Sequence, residues 1–209
     1  MHLTILGATG PSGRPLLDQA LDAGHHVTAL VRDPARLRPE RRHERLKVEV
    51  GDATSTEDLI RAMTGSEAVL SALGPAKDFK SDLAGRVIRA LLPAARTSGV
   101  NRVVLLSALG VGDSIRYTGI VPKLVINLLM KELFADKAEA DAVLRSSSLD
   151  WTLVYPSILT NGPRTGKYTA VETPRRKVST RISREDLAEF MLQQVNSTEW
   201  SRRTAILTD

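Results

Sequence analysis

Short apolar runs alternate with longer stretches of helical periodicity along nearly the whole chain. Residues 103–106 are continuously apolar, which is typical of a strand buried on both faces of a parallel sheet. Leu83, Val87 and Leu91 instead recur at four-residue steps, as on one face of a helix. The pattern predicts strands over 2–6, 26–31, 46–50, 67–72, 102–107, 151–155 and 204–208. It predicts helices over 12–23, 56–64, 80–98, 118–147 with a break, and 184–195.

This alternation predicts an α/β protein with a Rossmann-like, doubly wound parallel sheet flanked by helices. The 209 residues, 42% of them hydrophobic, suit a single domain over 1–209 with a substantial core. The most irregular segment, 156–181, contains several prolines and glycines and is predicted to be a loop region on the substrate side. Because ligands of such sheets bind beyond the carboxyl ends of the strands, the residues that follow each strand are the candidates for function.

The first predicted strand leads directly into the glycine-rich segment 7–13, Gly-Ala-Thr-Gly-Pro-Ser-Gly, and a helical pattern follows at once. Glycine lets the backbone turn sharply and approach a ligand closely, because it has no Cβ. The N–H groups at the start of the next helix favour a pyrophosphate. The spacing Gly-x-x-Gly-x-x-Gly differs from the usual dinucleotide fingerprint, but the strand–turn–helix context is the one that fingerprint requires. We therefore predict a dinucleotide site, with a purely structural turn as the alternative.

The second predicted strand ends at Arg32, about 20 residues beyond the last glycine of the motif. A carboxylate at this place binds the ribose hydroxyls of NAD, whereas an arginine accommodates the 2′-phosphate of NADP. Guanidinium groups pair well with phosphate, and Arg36 is placed to assist. The sequence therefore favours NADP(H) over NAD(H), the alternative being an ordinary exposed arginine.

Three further strand ends carry candidate residues. Asp52 follows the third strand, where its carboxylate would accept a bond from the adenine amino group or simply cap the turn. Gly74, after Leu73, follows the fourth strand and would let the backbone pass close to the cofactor, unless it is a plain turn glycine. Ser107 follows the fifth strand, where it would bond the nicotinamide ribose or the substrate.

Composition narrows the chemistry further. The chain has no cysteine, which excludes disulfides and thiolate metal sites and fits a reducing cytoplasm. It has neither an 18-residue apolar run nor the pattern of a signal peptide, so we expect a cytoplasmic protein without membrane contact. No metal-ligand motif appears, and no histidine follows a later strand, which argues against metal and hydrolase chemistry.

The net charge of +5 comes partly from a basic segment comprising Arg36, Arg38, Arg41, Arg42, Arg45 and Lys47. Nucleic-acid binding would call for interleaved aromatic residues, and these form only 4% of the chain. We therefore expect no nucleic-acid partner. The segment is interpreted as a solvated loop or as a positive rim that attracts an anionic cofactor.

Taken together, these motifs resemble the atypical short-chain dehydrogenase/reductase superfamily. The resemblance rests on segments 7–13, 31–33, 51–52, 107–108, 149–156 and 182–188 and covers nearly the whole chain. The closest pattern is the NmrA-like, NAD(P)-binding branch that includes the biliverdin and flavin reductases, whose Thr-Gly-x-Tyr-Thr stretch is matched at 165–169. The cofactor-binding residues then expected are Gly7, Thr9, Gly10, Pro11, Ser12, Gly13, Arg32, Arg36, Asp52, Leu73, Gly74, Ser107 and Pro156.

Two positions depart from the family pattern. The Tyr-x-x-x-Lys pair of superfamily dehydrogenases aligns with Leu133 and Lys137, and leucine cannot transfer a proton. Lys137, with Ser107, is the candidate catalytic residue, either holding the ribose or acting with a lowered pKa; the alternative is a helix-surface lysine. Ile158 takes the place of a histidine in the biliverdin reductase branch, so the sequence does not indicate tetrapyrrole specificity.

The resemblance implies an NADPH-dependent oxidoreductase that transfers hydride to a small planar acceptor such as a flavin or a quinone. The alternative is a non-catalytic NAD(P)-binding redox sensor, and a sugar-nucleotide epimerase is a weaker rival. The apolar stretch 120–130 is expected to be a packed core helix, with a substrate lid or a dimer face as alternatives, so the chain is predicted to be a monomer or a homodimer.

Overall fold

The computed structural model describes residues 1–37, 43–75, 78, 80–176, 178 and 181–208. Within this part, the strands are β1 (His2–Leu6), β2 (His26–Val31), β3 (Leu46–Val50), β4 (Ala68–Ser71), β5 (Arg102–Leu106), β6 (Asp150–Pro156), β7 (Ile158–Thr160), β8 (Thr169–Val171), β9 (Arg181–Ser183) and β10 (Arg203–Thr208). The helices are α1 (Gly13–Asp22), α2 (Thr56–Met63), α3 (Leu83–Ser98), α4 (Ile120–Leu129), α5 (Lys131–Ser146) and α6 (Arg184–Gln193).

Eight strands form one sheet in the order β3-β2-β1-β4-β5-β6-β10-β8. Neighbouring strands pair in parallel, except that β8 is antiparallel to β10. The chain leaves β1 towards β2 on one side and later returns to β4 on the other, which opens a crevice at the carboxyl end of β1. The predicted fold class, a doubly wound Rossmann-like sheet in a single domain, is confirmed.

Helices cover both faces of the sheet and define two hydrophobic cores. On one face, α1 and α6 pack together through residues such as Leu16 and Leu187. On the other face, α2, α3 and α5 bury residues such as Met63, Leu91 and Leu144. Burial on both faces explains the continuously apolar strands from which the parallel sheet was predicted.

The predicted helices and seven predicted strands all lie in the structure within a few residues of the expected limits. The prediction missed β7, β8 and β9, which have three residues each. A three-residue strand is too short to show a hydrophobic period, and these lie in or next to the proline- and glycine-containing segment 156–181.

The expectation of a core helix over 120–130 is wrong. α4 exposes most of its apolar side chains, and Ile120 and Leu128 are 78% and 70% exposed. Ile126 is the buried residue of this helix, and its Cδ1 lies beside Gly110. A high local hydropathy does not reveal whether a partner surface is present, and within the described chain none covers this helix. The lid and the dimer face remain predictions.

Part of the basic segment lies outside the described residues, namely Arg38, Arg41 and Arg42. The remaining members, Arg36, Arg45 and Lys47, are described.

No helix within the described residues is long and apolar enough to cross a membrane.

Candidate functional site

The turn after β1 is built by close contacts within the protein's own backbone. Gly7 has φ of +83°, and a Cβ here would lie 2.9 Å from the carbonyl of Ala72 at the end of β4. A Cβ on Gly13 would lie 2.0 Å from the carbonyl oxygen of Gly7. These two glycines therefore shape the turn and seat α1 against it, and Gly7 also lines the groove. Gly10 closes the turn by donating its N–H to the Gly7 carbonyl oxygen at 2.9 Å.

The other residues of the motif differ in exposure. Thr9 lines the groove that opens above the turn, beside Gly7. Pro11 is exposed, whereas Ser12 is buried at the start of α1 and makes no side-chain cap. Gly74, across the crevice, is exposed, and a Cβ there would meet no atom within 4 Å. Gly74 is thus the predicted glycine at which the backbone faces open space in the groove.

One end of the groove, which we call the arginine end, is formed by Arg32, Arg36 and Arg86. Arg32 and Arg36 were predicted here, and the structure brings both to the wall of the groove beside Asp52. Arg86 comes from α3 and was not predicted, because it lies inside a helix and far from any strand end. All three side chains are exposed, so this end presents positive charge to solvent.

Asp52 holds the turn at this end. Its Oδ1 accepts hydrogen bonds from the backbone N–H and the hydroxyl of Thr54, both at 2.8 Å. The bond from the Thr54 backbone is the main reason that the pKa of Asp52 is lowered, and Arg32 and Arg86 lower it further. The capping role that the sequence left open is therefore present, and the carboxylate also lines the groove.

Asp33, next to Arg32, is exposed and also lines the groove. Its Oδ1 caps the following turn by accepting the N–H of Ala35 at 3.0 Å. Both the guanidinium of Arg32 and the carboxylate of Asp33 therefore line the groove at the end of β2.

Leu73, Gly74 and Leu83 also line a second, neighbouring cavity, which we treat as the other end of the groove. This serine end is formed by Ser107, Lys137 and Asp141, with apolar walls that include Val87, Leu105, Leu133 and Ala140. The two predicted catalytic residues, Ser107 and Lys137, therefore line the same cavity although they are 30 positions apart in the chain. Pro156 is buried at the end of β6 and does not belong to the lining of either end.

Ser107 belongs to a buried hydrogen-bond network. Its hydroxyl donates to Oδ2 of Asp141 at 2.7 Å, and the hydroxyl of Tyr155 donates to the same oxygen at 2.6 Å. Arg145 donates to the Tyr155 oxygen at 2.9 Å. Sequence reasoning missed Asp141 and Tyr155; a signal that it could have used is the i, i+4 spacing of Lys137 and Asp141 on one helix face.

Lys137 is held in place by its neighbour in sequence. Asp136 accepts the backbone N–H groups of Ala84 and Gly85 at 2.9 and 3.0 Å, and so caps the start of α3 from α5. This link between the two helices fixes the turn of α5 that carries Lys137. Burial lowers the pKa of Lys137, which agrees with the lowered pKa considered from the sequence.

The substrate-side segment is tied to α6. Asp186 accepts the backbone N–H groups of Thr165 and Gly166 at 2.7 and 2.8 Å. Ser183 caps α6 by accepting the Asp186 N–H at 2.9 Å. Ile158, at which the sequence departs from the biliverdin reductase branch, is 52% exposed. No cluster of metal-ligating side chains occurs in the part of the chain that the structure describes.

A glycine turn between β1 and α1, an arginine after β2 and a groove along the carboxyl edge of the sheet all indicate a dinucleotide site. The family comparison agrees: the NAD(P)H-binding family model matches residues 7–198. This chain belongs to the NAD(P)H-binding family. The match includes the glycine turn, both ends of the groove and the buried network.

Among curated relatives, an uncharacterized chloroplastic protein of Arabidopsis thaliana is 30% identical over 94% of this chain and 72% of its own length. The uncharacterized sugar epimerase YhfK of Bacillus subtilis is 25% identical over 100% of this chain and 94% of its own length.

Solved structures share the fold at lower identity. A short-chain dehydrogenase/reductase of Veillonella parvula in complex with NADP has a TM-score of 0.85 and 22% identity, over 100% of this chain and 94% of that one. ChuY, an anaerobilin reductase of Escherichia coli O157:H7, has a TM-score of 0.83 and 22% identity, over 100% and 97%.

Proposed function

We propose that this protein is an NADPH-dependent oxidoreductase that transfers hydride to a small planar acceptor, a flavin or a quinone. The observation that carries the proposal is that the arginine end, which includes the glycine turn, and the serine end are neighbouring cavities that share Leu73, Gly74 and Leu83. A dinucleotide lying along it would place its phosphates at the turn and its nicotinamide beside Ser107 and Lys137.

The residues present fit such a cofactor. Gly74 leaves open space where the groove crosses the sheet edge, and the start of α1 directs its free N–H groups towards the turn. Arg32, Arg36 and Arg86 would surround the phosphate that distinguishes NADP from NAD. When bound, NADPH supplies a hydride and is oxidised to NADP⁺, while the acceptor gains two electrons.

The serine end suits an aromatic acceptor more than an alcohol or a sugar. Its walls are mostly apolar, and Leu133 stands where dehydrogenases of the superfamily carry their proton-transferring tyrosine. Lys137 remains as the group that would donate a proton to the reduced acceptor, because its pKa is lowered by burial. A reduced flavin or quinone also takes a proton from solvent, so it does not require the missing tyrosine. The fold shared with the reductase ChuY supports this reaction class.

Two measurements test the proposal. Thermal unfolding with equal concentrations of NADPH and NADH should show greater stabilisation by NADPH, because the preferred ligand stabilises the native state more. NADPH oxidation should then be followed with FMN, quinones and biliverdin as acceptors. Turnover with a flavin or a quinone supports the proposal. Tight NADPH binding with no turnover of any acceptor would contradict it.

Tight NADPH binding without turnover of any acceptor would instead support a redox sensor. The observation in favour of a sensor is Leu133, which leaves the site without the tyrosine of the superfamily dehydrogenases. The sugar-epimerase name of the Bacillus subtilis relative predicts a different result, namely interconversion of nucleotide sugars without net NADPH oxidation.

A further inference from the structure

We propose that Asp141 is a positioning residue that fixes the Ser107 hydroxyl as a hydrogen-bond acceptor towards the bound cofactor. The inference rests on the proposed function, since it concerns the same groove. It assigns a role to a buried carboxylate that sequence reasoning did not identify.

The geometry sets the direction of each hydrogen bond. An ionised carboxylate only accepts hydrogen bonds, and each hydroxyl has a single proton to donate. Ser107 and Tyr155 both point that proton at Oδ2 of Asp141, at 2.7 and 2.6 Å. The guanidinium of Arg145, which is donor-only, faces the Tyr155 oxygen at 2.9 Å and so prevents this hydroxyl from turning round. The network therefore has one consistent orientation.

The orientation of the network determines which hydrogen-bonding group Ser107 presents to a ligand in the groove. With its proton committed to Asp141, the Ser107 oxygen offers only lone pairs to a ligand at the serine end. Its partner must then be a hydrogen-bond donor, such as the amide N–H or a ribose hydroxyl of the nicotinamide half of NADPH. By the same reasoning, Ser107 does not deliver a proton to the acceptor, and that role is left to Lys137.

Burial protects the hydrogen bonds of this network from exchange with water. Asp141, Tyr155 and Ser107 are 1%, 2% and 5% exposed, so water does not compete for these bonds. Burial also raises the pKa of Tyr155 above its usual value, which keeps the tyrosine protonated and donating.

The same network predicts a pH dependence. The charged and titratable groups that act on Asp141 are Lys137 and Arg145 from its own helix and Tyr155 from β6. Burial raises the pKa of Asp141, although the hydrogen bonds from Tyr155 and Ser107 oppose this shift. Protonation at low pH would remove the negative charge from Asp141, weaken the bond that it accepts from Ser107 and so loosen the hold on this hydroxyl. NADPH affinity should therefore fall as the pH drops through this raised pKa.

A double-mutant cycle tests the coupling. The NADPH dissociation constant is measured by calorimetry for the wild type, Ser107→Ala, Asp141→Asn and the double variant. Each single change should weaken binding about three- to tenfold, the value of one hydrogen bond. The double variant should be no weaker than Ser107→Ala, because Asp141 acts through Ser107. Multiplied single effects, or an Asp141→Asn variant that binds as the wild type does, would overturn the proposal.

Tyr155→Phe gives a readout that a purely structural role would not move, and it keeps the test decisive if Asp141→Asn does not fold. It removes one hydrogen bond to the ionised carboxylate, so the low-pH loss of NADPH affinity should shift to higher pH. An unchanged profile would contradict the proposal. Ser146→Ala is the control, since this exposed serine at the end of α5 donates its hydroxyl to the Val143 carbonyl oxygen and not to the network. Failure of the wild type itself to bind NADPH would instead refute the proposed function.

Discussion

The two ends of the groove differ in the chemical groups that they offer to the proposed dinucleotide. At the arginine end, three exposed guanidinium groups present positive charge with little fixed geometry. At the serine end, a buried carboxylate, a tyrosine and a serine form one oriented network with bonds of 2.6 to 2.9 Å. Under the proposed function, charge would attract and select the dinucleotide at one end, whereas fixed hydrogen bonds would align it for reaction at the other.

The turn that joins the two ends should be the most sensitive point. Gly13→Ala places a methyl group 2.0 Å from the Gly7 carbonyl oxygen, so the turn must move and both ends lose their alignment. We expect kcat/KM for NADPH oxidation to fall about 100-fold, the cost of a displacement of about 1 Å.

Gly119→Ala is the matched control. Gly119 has φ of −65°, and a Cβ there would make only an ordinary 3.6 Å contact with Pro122. Equal activity in both variants would show that the packing of the turn does not set the alignment.

Lys137→Met tests the serine end alone. Methionine keeps much of the apolar stem but removes the ammonium group, so kcat should fall about 100-fold if Lys137 is the general acid. The NADPH dissociation constant should change little, because the arginine end is intact. In the wild type, kcat should also decline as the pH rises through the lowered pKa of Lys137, since the proton is present only below it. A pH profile that is the same in both proteins would remove Lys137 from the proton transfer.

Arg32→Glu tests the arginine end alone. A carboxylate repels the 2′-phosphate of NADPH but accepts the ribose hydroxyls of NADH. The dissociation constant of NADPH should therefore rise at least about tenfold relative to that of NADH. Arg86→Gln should have a smaller effect in the same direction, since Arg86 also forms an ion pair with Asp82 at 3.0 Å. Equal losses for both cofactors would show that this end does not select the phosphate.

The difference between the two ends also explains which site residues could be predicted from the sequence. The glycine turn and Arg32 could be predicted because strand, turn and helix follow one another within the first 32 residues. The network at the serine end joins Ser107 after β5, Asp141 on α5 and Tyr155 on β6. These residues meet only through the packing of α5 against the sheet, and no local spacing marks them as partners.

The exposed face of α4 shows a second limit. Its composition predicts burial, but composition does not specify what lies opposite a helix. Similarly, Gly7 and Gly13 were predicted to belong to a dinucleotide site, whereas their close contacts with the backbone became visible only in the folded chain.

The most direct test of the account uses NADPH carrying deuterium at either the pro-R or the pro-S position of C4. Oxidation by a flavin or quinone acceptor should be slowed by deuterium at one of these positions and not at the other, because the groove would present one face of the nicotinamide. Slowing at neither position, or no oxidation with any acceptor, would contradict hydride transfer at the serine end.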